Sequence, residues 1–258
     1  MELSFYFDTE LQFSGYVTEH QFLLRCLPPE LPEQKILSHT FSILPGEVKT
    51  SFGKDSFGNR CCSGRIEEEH DGLRYTLQGK AYRDDSLREK SEEAAPFYRY
   101  PSPLTQPTEE LSDFLKDIVP ARGDALEIAG IIADSVHEHF LYVPGETEVS
   151  TTAGEAFRRA RGVCQDYAHV FITLCRMAGI PARYVSGLPV GEGASHAWAE
   201  VWADGIWHGF DPTRHTLAGE TYLKLCVGRD YSDCPIERGV FLGGADQTQT
   251  VFMKVTNN

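Results

Sequence analysis

Apolar positions in the first hundred residues come in short runs, at 3–7, 21–26, 36–44 and 73–82. In the last of these Leu73, Tyr75 and Leu77 alternate with polar neighbours, the period of a strand with one buried face. Turn-forming pairs separate the runs, namely Pro28-Pro29, Pro45-Gly46 and Gly58-Asn59. Strands spaced in this way predict a small β-sandwich-like module. The pattern then breaks. Residues 96–107 hold Pro96, Pro101, Pro103 and Pro107, and proline fixes φ and cannot donate to a β-ladder. We read this stretch as a stiff, extended connector and place the domain boundary near residue 100, giving a β-rich unit over 1–100 and a second unit over 101–258.

Beyond the connector the apolar period lengthens. Leu111, Phe114, Leu115 and Ile118 have helical spacing, and a second helix is expected from an Asp124 N-cap to about Phe140. Thr152 and Glu155 fit a capping box that opens a third helix. A fourth carries Cys164, Ala168, Phe171, Cys175 and Ala178 on one face and ends at Gly179, with Pro181 just beyond. Strands are expected from Ala182 onward. Helices first and strands later, without βαβ alternation, argue for an α+β class.

Composition narrows the function classes. The net charge is −14, which disfavours nucleic acid and anionic membranes as partners. No apolar run is long enough to span a bilayer, and the acidic start MELSFYFDTE lacks the basic region of a secretory leader, so a cytoplasmic location is expected. The seven cysteines are odd in number and contain no C-x-x-C pair, so neither a disulfide scaffold nor a cysteine-based zinc site is expected. The ordinary reading of most of them is a reduced, buried thiol.

Cys164 stands apart by position. It follows Gly162-Val163 at the start of the fourth helix, where unpaired N–H groups and the helix dipole favour negative charge. A thiol there is expected to ionise below its ordinary range, and the thiolate is the reactive form. Cys175, in mid-helix, has no such help. Asp166, two residues on, is read as first-turn helix electrostatics. Among the histidines, His169 faces away round the helix, and His137 and His139 are expected at the surface. His196 lies in the strand-like run 196–202 on the face that also carries Trp198, Glu200 and Trp202. Asp204-Gly205 then signals a two-residue hairpin. Such a turn pairs Trp202 with Trp207 and sets Asp211 opposite Trp198, diagonal to His196 and within reach of its imidazole. Glu200, four residues along the strand, is too far away to serve. A one-residue change in the loop would move Asp211 to the other face. Helix-start cysteine, strand histidine and hairpin aspartate are the elements of a thiol triad.

The stretches Gly162-Val163-Cys164-Gln165-Asp166-Tyr167-Ala168, 179–187, 196–201 and Phe210-Asp211-Pro212-Thr213 resemble, in order, the motifs of the bacterial transglutaminase-like superfamily, whose members are often described as cysteine proteases. The resemblance covers roughly 110–215. Residues 55–59, Asp55-Ser56-Phe57-Gly58-Asn59, resemble a turn of the β-rich N-terminal region common in that family. It implies a papain-like α+β catalytic core, a triad of Cys164, His196 and Asp211, a protein or peptide substrate, and no cofactor or metal. The expected reaction is cleavage or transfer at amide bonds through a thioester, with hydrolysis favoured and amine transfer or a non-catalytic binding module as alternatives. The oxyanion would be held by the Cys164 N–H and by a second donor, for which Tyr142 and a tryptophan indole are candidates. A metal site built from the same three residues lacks the usual close ligand spacing, and Gly191-Glu192-Gly193 is a lone G-x-G with no phosphate-loop context.

Overall fold

The structure, a computed structural model, describes residues 1–46, 48–120 and 122–257. The chain opens on β1 (Glu2–Leu24), followed by β2 (Gln34–Leu44), β3 (Lys49–Lys54), β4 (Arg60–Ile66) and β5 (His70–Arg83). The helical segment holds α1 (Glu109–Ile118), α2 (Ala125–His139), the short β6 (Leu141–Tyr142), α3 (Ala153–Arg159), the short β7 (Arg161–Gly162) and α4 (Cys164–Met177). Then come β8 (Ala182–Pro189), β9 (Gly191–Gly193), β10 (His196–Ala203), β11 (Ile206–Asp211), β12 (Thr216–Leu217), β13 (Tyr222–Gly228), β14 (Glu237–Leu242) and β15 (Gln247–Asn257).

The two runs expected as separate strands at 3–7 and 21–26 are the two ends of one strand. β1 is 23 residues long and changes partners along its length. Its first half lies between β5 and β15, with β2 and β9 outside them, and its second half lies between β4 and β14, with β3 outside β4. Register shifts on both sides of residues 12–21 mark the bend, and Glu19 sits there at φ 53°. The two limbs close on a core of Leu3, Phe5, Phe7, Leu11, Phe22 and Leu24 with Leu73, Tyr75 and Leu77. A strand that switches sheets in this way makes the corner of a sandwich. The intervening polar residues hide this continuity from a reading based on apolar runs. They also hide β3 and β4, which the sequence reading does not contain.

A second difference concerns chain ends. The reading assigned 101–258 to one unit. The pairing of β15 with β1 over Leu3–Phe13, and of β14 with its second half, puts the last strands in the first sheet. β14 lies at an edge of that sheet and β15 is flanked on its outer side only by the short β9, and no local pattern announces which sheet a strand will join.

The second sheet runs β12-β11-β10-β8-β13, all antiparallel. One face, with Ala182, Tyr184, Ala197, Ala199 and Val201, packs on the helices, above all on α4. α2, α3 and α4 start where the sequence places them, and α1 carries Leu111, Phe114, Leu115 and Ile118. Thr108 and Asp124 cap α1 and α2, and Thr152 with Glu155 forms the reciprocal capping box of α3. Leu188, Leu223 and Leu225 join the core of the first sheet, so the two units share a continuous interior. The proline connector includes a 3₁₀ turn at Pro96–Arg99 and is pinned by Arg176, which donates to the Tyr98, Ala182 and Arg229 carbonyls and to Thr105. No helix among the described residues is long and apolar enough to cross a membrane.

Candidate active site

Cys164 is the first residue of α4, behind an extended Val163 N-cap. Its backbone N–H therefore has no acceptor within the helix. Asp166 reaches back to take the Val163 N–H at 2.8 Å and the Thr147 hydroxyl at 2.7 Å. It acts as a cap, and being buried it has its carboxyl pushed upward. Gly162 permits this arrangement, because a Cβ there would run into the Asp166 carboxylate. β7 pairs in parallel with β6, which sets Tyr142 beside Gly162 and close enough to Cys164 to feel its charge. Gln165 donates its amide to the Val149 carbonyl at 3.0 Å and so holds the preceding loop.

The hairpin forms as expected. Asp204 and Gly205 sit at φ 52° and 84°, the left-handed pair of a type I′ turn, and Trp202 pairs with Trp207. The rings of that pair meet at 5.3 Å between centroids. The register continues to Ala199–Phe210, which carries Asp211 to the position diagonal to His196. His196 Nε2 and Asp211 Oδ2 are 2.7 Å apart. The same oxygen accepts the Tyr222 hydroxyl at 2.8 Å, while Oδ1 accepts the Thr213 and Arg214 N–H groups, each at 3.1 Å. Tyr222, from β13, is a site residue that the sequence reading missed. Nothing local to it points to Asp211.

With Nε2 engaged, Nδ1 is the ring nitrogen left for Cys164. Burial works against the imidazolium, yet the hydrogen bonds to Asp211 and Cys164, with the charges of both, carry the His196 pKa up to about 9. The three residues named from sequence are thus brought together across α4, β10 and β11. Cys164 is the partly exposed one of the seven free thiols. Burial pushes the thiols of Cys26, Cys61, Cys62, Cys175 and Cys234 up, away from the reactive form.

The other histidines have different tasks. His169 is fully buried, accepts the Tyr231 N–H through Nε2 at 3.1 Å, and is pushed down to about 4 by burial. His137 and His139, expected at the surface, are half-buried and hold the Pro212 and Phe157 carbonyls, each at 2.9 Å. His137 thereby props the turn that follows Asp211. Glu200 is engaged in a buried ion network, bonded to Lys224 at 2.6 Å and Arg183 at 2.6 Å, with Lys224 also reaching Glu33 at 2.8 Å. These cations hold its carboxyl well below the usual carboxylate range.

Cys164 and His196 open onto a cleft of about 200 Å³ between the two units. One wall is the α4 start with β8 and β10, and the other belongs to the first sheet. No group of three or more potential metal ligands occurs among the described residues.

Fold and site together define a transglutaminase-like protein. Residues 112–212 match the family model of the Transglutaminase-like superfamily, and residues 3–81 match the Bacterial transglutaminase-like N-terminal region. The chain belongs to that superfamily. Among its relatives, "Uncharacterized protein ML0607" of Mycobacterium leprae is 39% identical over 125 residues, which is 45% of this chain and 44% of that protein. The match therefore spans less than half of the relative. "Uncharacterized protein Rv2569c" of Mycobacterium tuberculosis is 27% identical over 283 residues, 93% of this chain and 87% of that protein. A crystal structure described as a "Putative Cysteine Protease from Cytophaga hutchinsonii" superposes with a TM-score of 0.83 at 21% identity, covering 100% of this chain and 91% of the other. At that identity the likeness speaks for the fold alone.

Proposed function

We propose that this chain is a thiol acyl-transfer enzyme that cleaves amide bonds of a protein or peptide, with Cys164 as nucleophile, His196 as acid and base, and Asp211 as the group that orients His196. The observation that carries the reading is the 2.7 Å His196–Asp211 bond, which fixes Nε2 and turns the other ring nitrogen toward a cysteine at a helix start. The raised His196 pKa favours the imidazolium that would accompany a Cys164 thiolate.

In the first half-reaction the thiolate attacks the amide carbon, a C–S bond forms, and the carbonyl electrons move to oxygen. The Cys164 N–H and the Tyr142 hydroxyl are the donors we assign to that oxyanion. Collapse breaks the C–N bond, and the leaving amine takes a proton from His196. In the second half-reaction water attacks the thioester while His196 accepts its proton, releasing the acid and the thiol. An amine in place of water would give transfer.

Iodoacetamide labelling with peptide mapping tests the nucleophile. Alkylation at neutral pH should concentrate on Cys164 and fall sharply in His196→Ala. Labelling spread over the seven cysteines would exclude an activated thiol. Incubation with a glutamine-containing protein and a labelled primary amine separates the two outcomes: amine incorporation without cleavage would overturn the hydrolytic assignment.

A further inference from the structure

The wall of the cleft that belongs to the first sheet sets polar side chains among the apolar Phe7 and Val251. It carries Thr9 on β1, Tyr75 on β5, Glu237 on β14 and Gln249 on β15. Thr9 and Tyr75 are direct neighbours across the β1–β5 ladder. Both residues are fully buried, and neither hydroxyl completes a hydrogen bond of ordinary geometry, although the Tyr75 hydroxyl lies close to both Thr9 and the Glu237 carboxyl. Gln249 donates its amide to Glu237 Oε2 at 3.1 Å.

Buried polar groups are nearly always satisfied, so two neighbouring hydroxyls in a cleft wall whose contacts with each other and with Glu237 fall short of ordinary hydrogen-bond geometry need a reason. Glu237 adds to the imbalance. Among the described residues lining this cleft there is no lysine or arginine, and His196 is the only basic side chain. Burial drives the Glu237 carboxyl up to about 7, while Tyr75 and Gln249 offset only part of that effect. The His196 imidazolium is already engaged by Asp211, and a buried carboxyl group with no cation of its own is costly to the folded protein and suited to a ligand that brings one. A primary ammonium has three N–H donors and no acceptor, which matches a carboxylate with two hydroxyl oxygens beside it.

We propose that Glu237, with the Tyr75 and Thr9 hydroxyls and the Gln249 amide oxygen, forms a subsite that binds a primary ammonium group of the substrate next to Cys164; this rests on the thiol acyl-transfer reading above. The ammonium can come from a lysine-type amine, which passes one proton to the Glu237 carboxylate before its freed lone pair attacks the thioester, or from the amino terminus of a peptide to be cleaved.

The probes are three methanethiosulfonates of one chemistry, in which the Cys164 thiolate displaces sulfinate to form a mixed disulfide. One is neutral (methyl), one cationic (aminoethyl) and one anionic (sulfonatoethyl). The ratio of cationic to neutral rates at Cys164 should fall about tenfold in Glu237→Gln, the order expected for one charge removed from a partly desolvated site. It should stay within twofold of wild type in Glu10→Gln, which removes an equal charge from an exposed position of β1 outside the cleft. Tyr75→Phe, which keeps the aromatic packing, should lower the ratio to a smaller extent. An unchanged ratio in Glu237→Gln overturns the subsite while leaving the nucleophile reading intact. Loss of selective labelling by the neutral probe in wild type overturns that reading and the subsite with it. Competition by n-butylamine, a lysine mimic, or by alanine amide, an amino-terminus mimic, identifies the source. Slowing by one of them in wild type and not in Glu237→Gln assigns it, and slowing by neither counts against the subsite.

Discussion

Asp211→Asn isolates the electrostatic part of the site. Asparagine keeps the shape, and its oxygen can still accept the Thr213 and Arg214 N–H groups at the Oδ1 position. Its NH₂ then faces His196 Nε2 and the Tyr222 hydroxyl, where the carboxylate accepted both. A donor now meets a donor, so the neutral imidazole must carry its proton on the nitrogen that faces Cys164 and cannot accept one from the thiol. A hydrogen bond to a charged group is worth about 1.5–3 kcal/mol, and one pKa unit is about 1.4 kcal/mol, so the His196 pKa should fall by about 1–2 units from about 9. Near pH 8 the imidazolium fraction drops from most of the molecules to roughly one in ten at the larger shift. NMR titration of His196 reads the shift, and iodoacetamide labelling of Cys164 near pH 8 should slow about tenfold. Stability gives an independent readout. The folded pKa lies above the unfolded value of 6.5, so the stabilisation by the imidazolium is fully present below about 6.5 and is lost as pH rises through about 9. The gap in unfolding free energy between wild type and Asp211→Asn, about 1.5–3 kcal/mol near pH 6, should therefore narrow above pH 9. A His196 that still titrates near 9 in the variant, with labelling unchanged, would refute this account.

Three further outcomes are expected. His20 and His169 are both pushed down to about 4 by burial, His20 with added repulsion from His70. The unfolded chain takes up protons there first, so stability should fall as pH drops from 6.5 toward 4, and urea unfolding of His20→Gln should show a shallower loss. Lys224→Met leaves Glu33 without its cation and Glu200 with Arg183 alone. It should cost about 3–5 kcal/mol in urea unfolding, with partial recovery on adding Glu33→Gln. Gly205→Val strains a turn position at φ 84° and should lower the Tm and slow Cys164 labelling together, because the turn sets the register that holds Asp211.

The candidate site was legible because each of its parts has a local signature. A glycine before a cysteine at a helix start, a period-2 strand and an Asp-Gly turn fix helix phase, strand face and register within about 50 residues, and register alone sets Asp211 diagonal to His196. The helix caps were legible for the same reason, since Asp124, Thr152 and Glu155 bond to backbone groups three residues away. Tyr222, Lys224, Glu237, Thr9 and Tyr75 were not legible. Each reaches the site through a contact between distant segments, and a buried ion pair or an idle hydroxyl leaves no mark in its own neighbourhood of sequence.

By itself, then, the sequence determined the class of fold, the starts of α2, α3 and α4 and the three residues of the proposed thiol chemistry, because those depend on interactions over a few positions along the chain. The tertiary structure decided that β1 is one strand shared by two limbs, that β14 and β15 return to it, and that the first sheet supplies the far wall of the cleft. Strand pairing is set by burial summed over whole faces, and that sum exists only once distant segments have met.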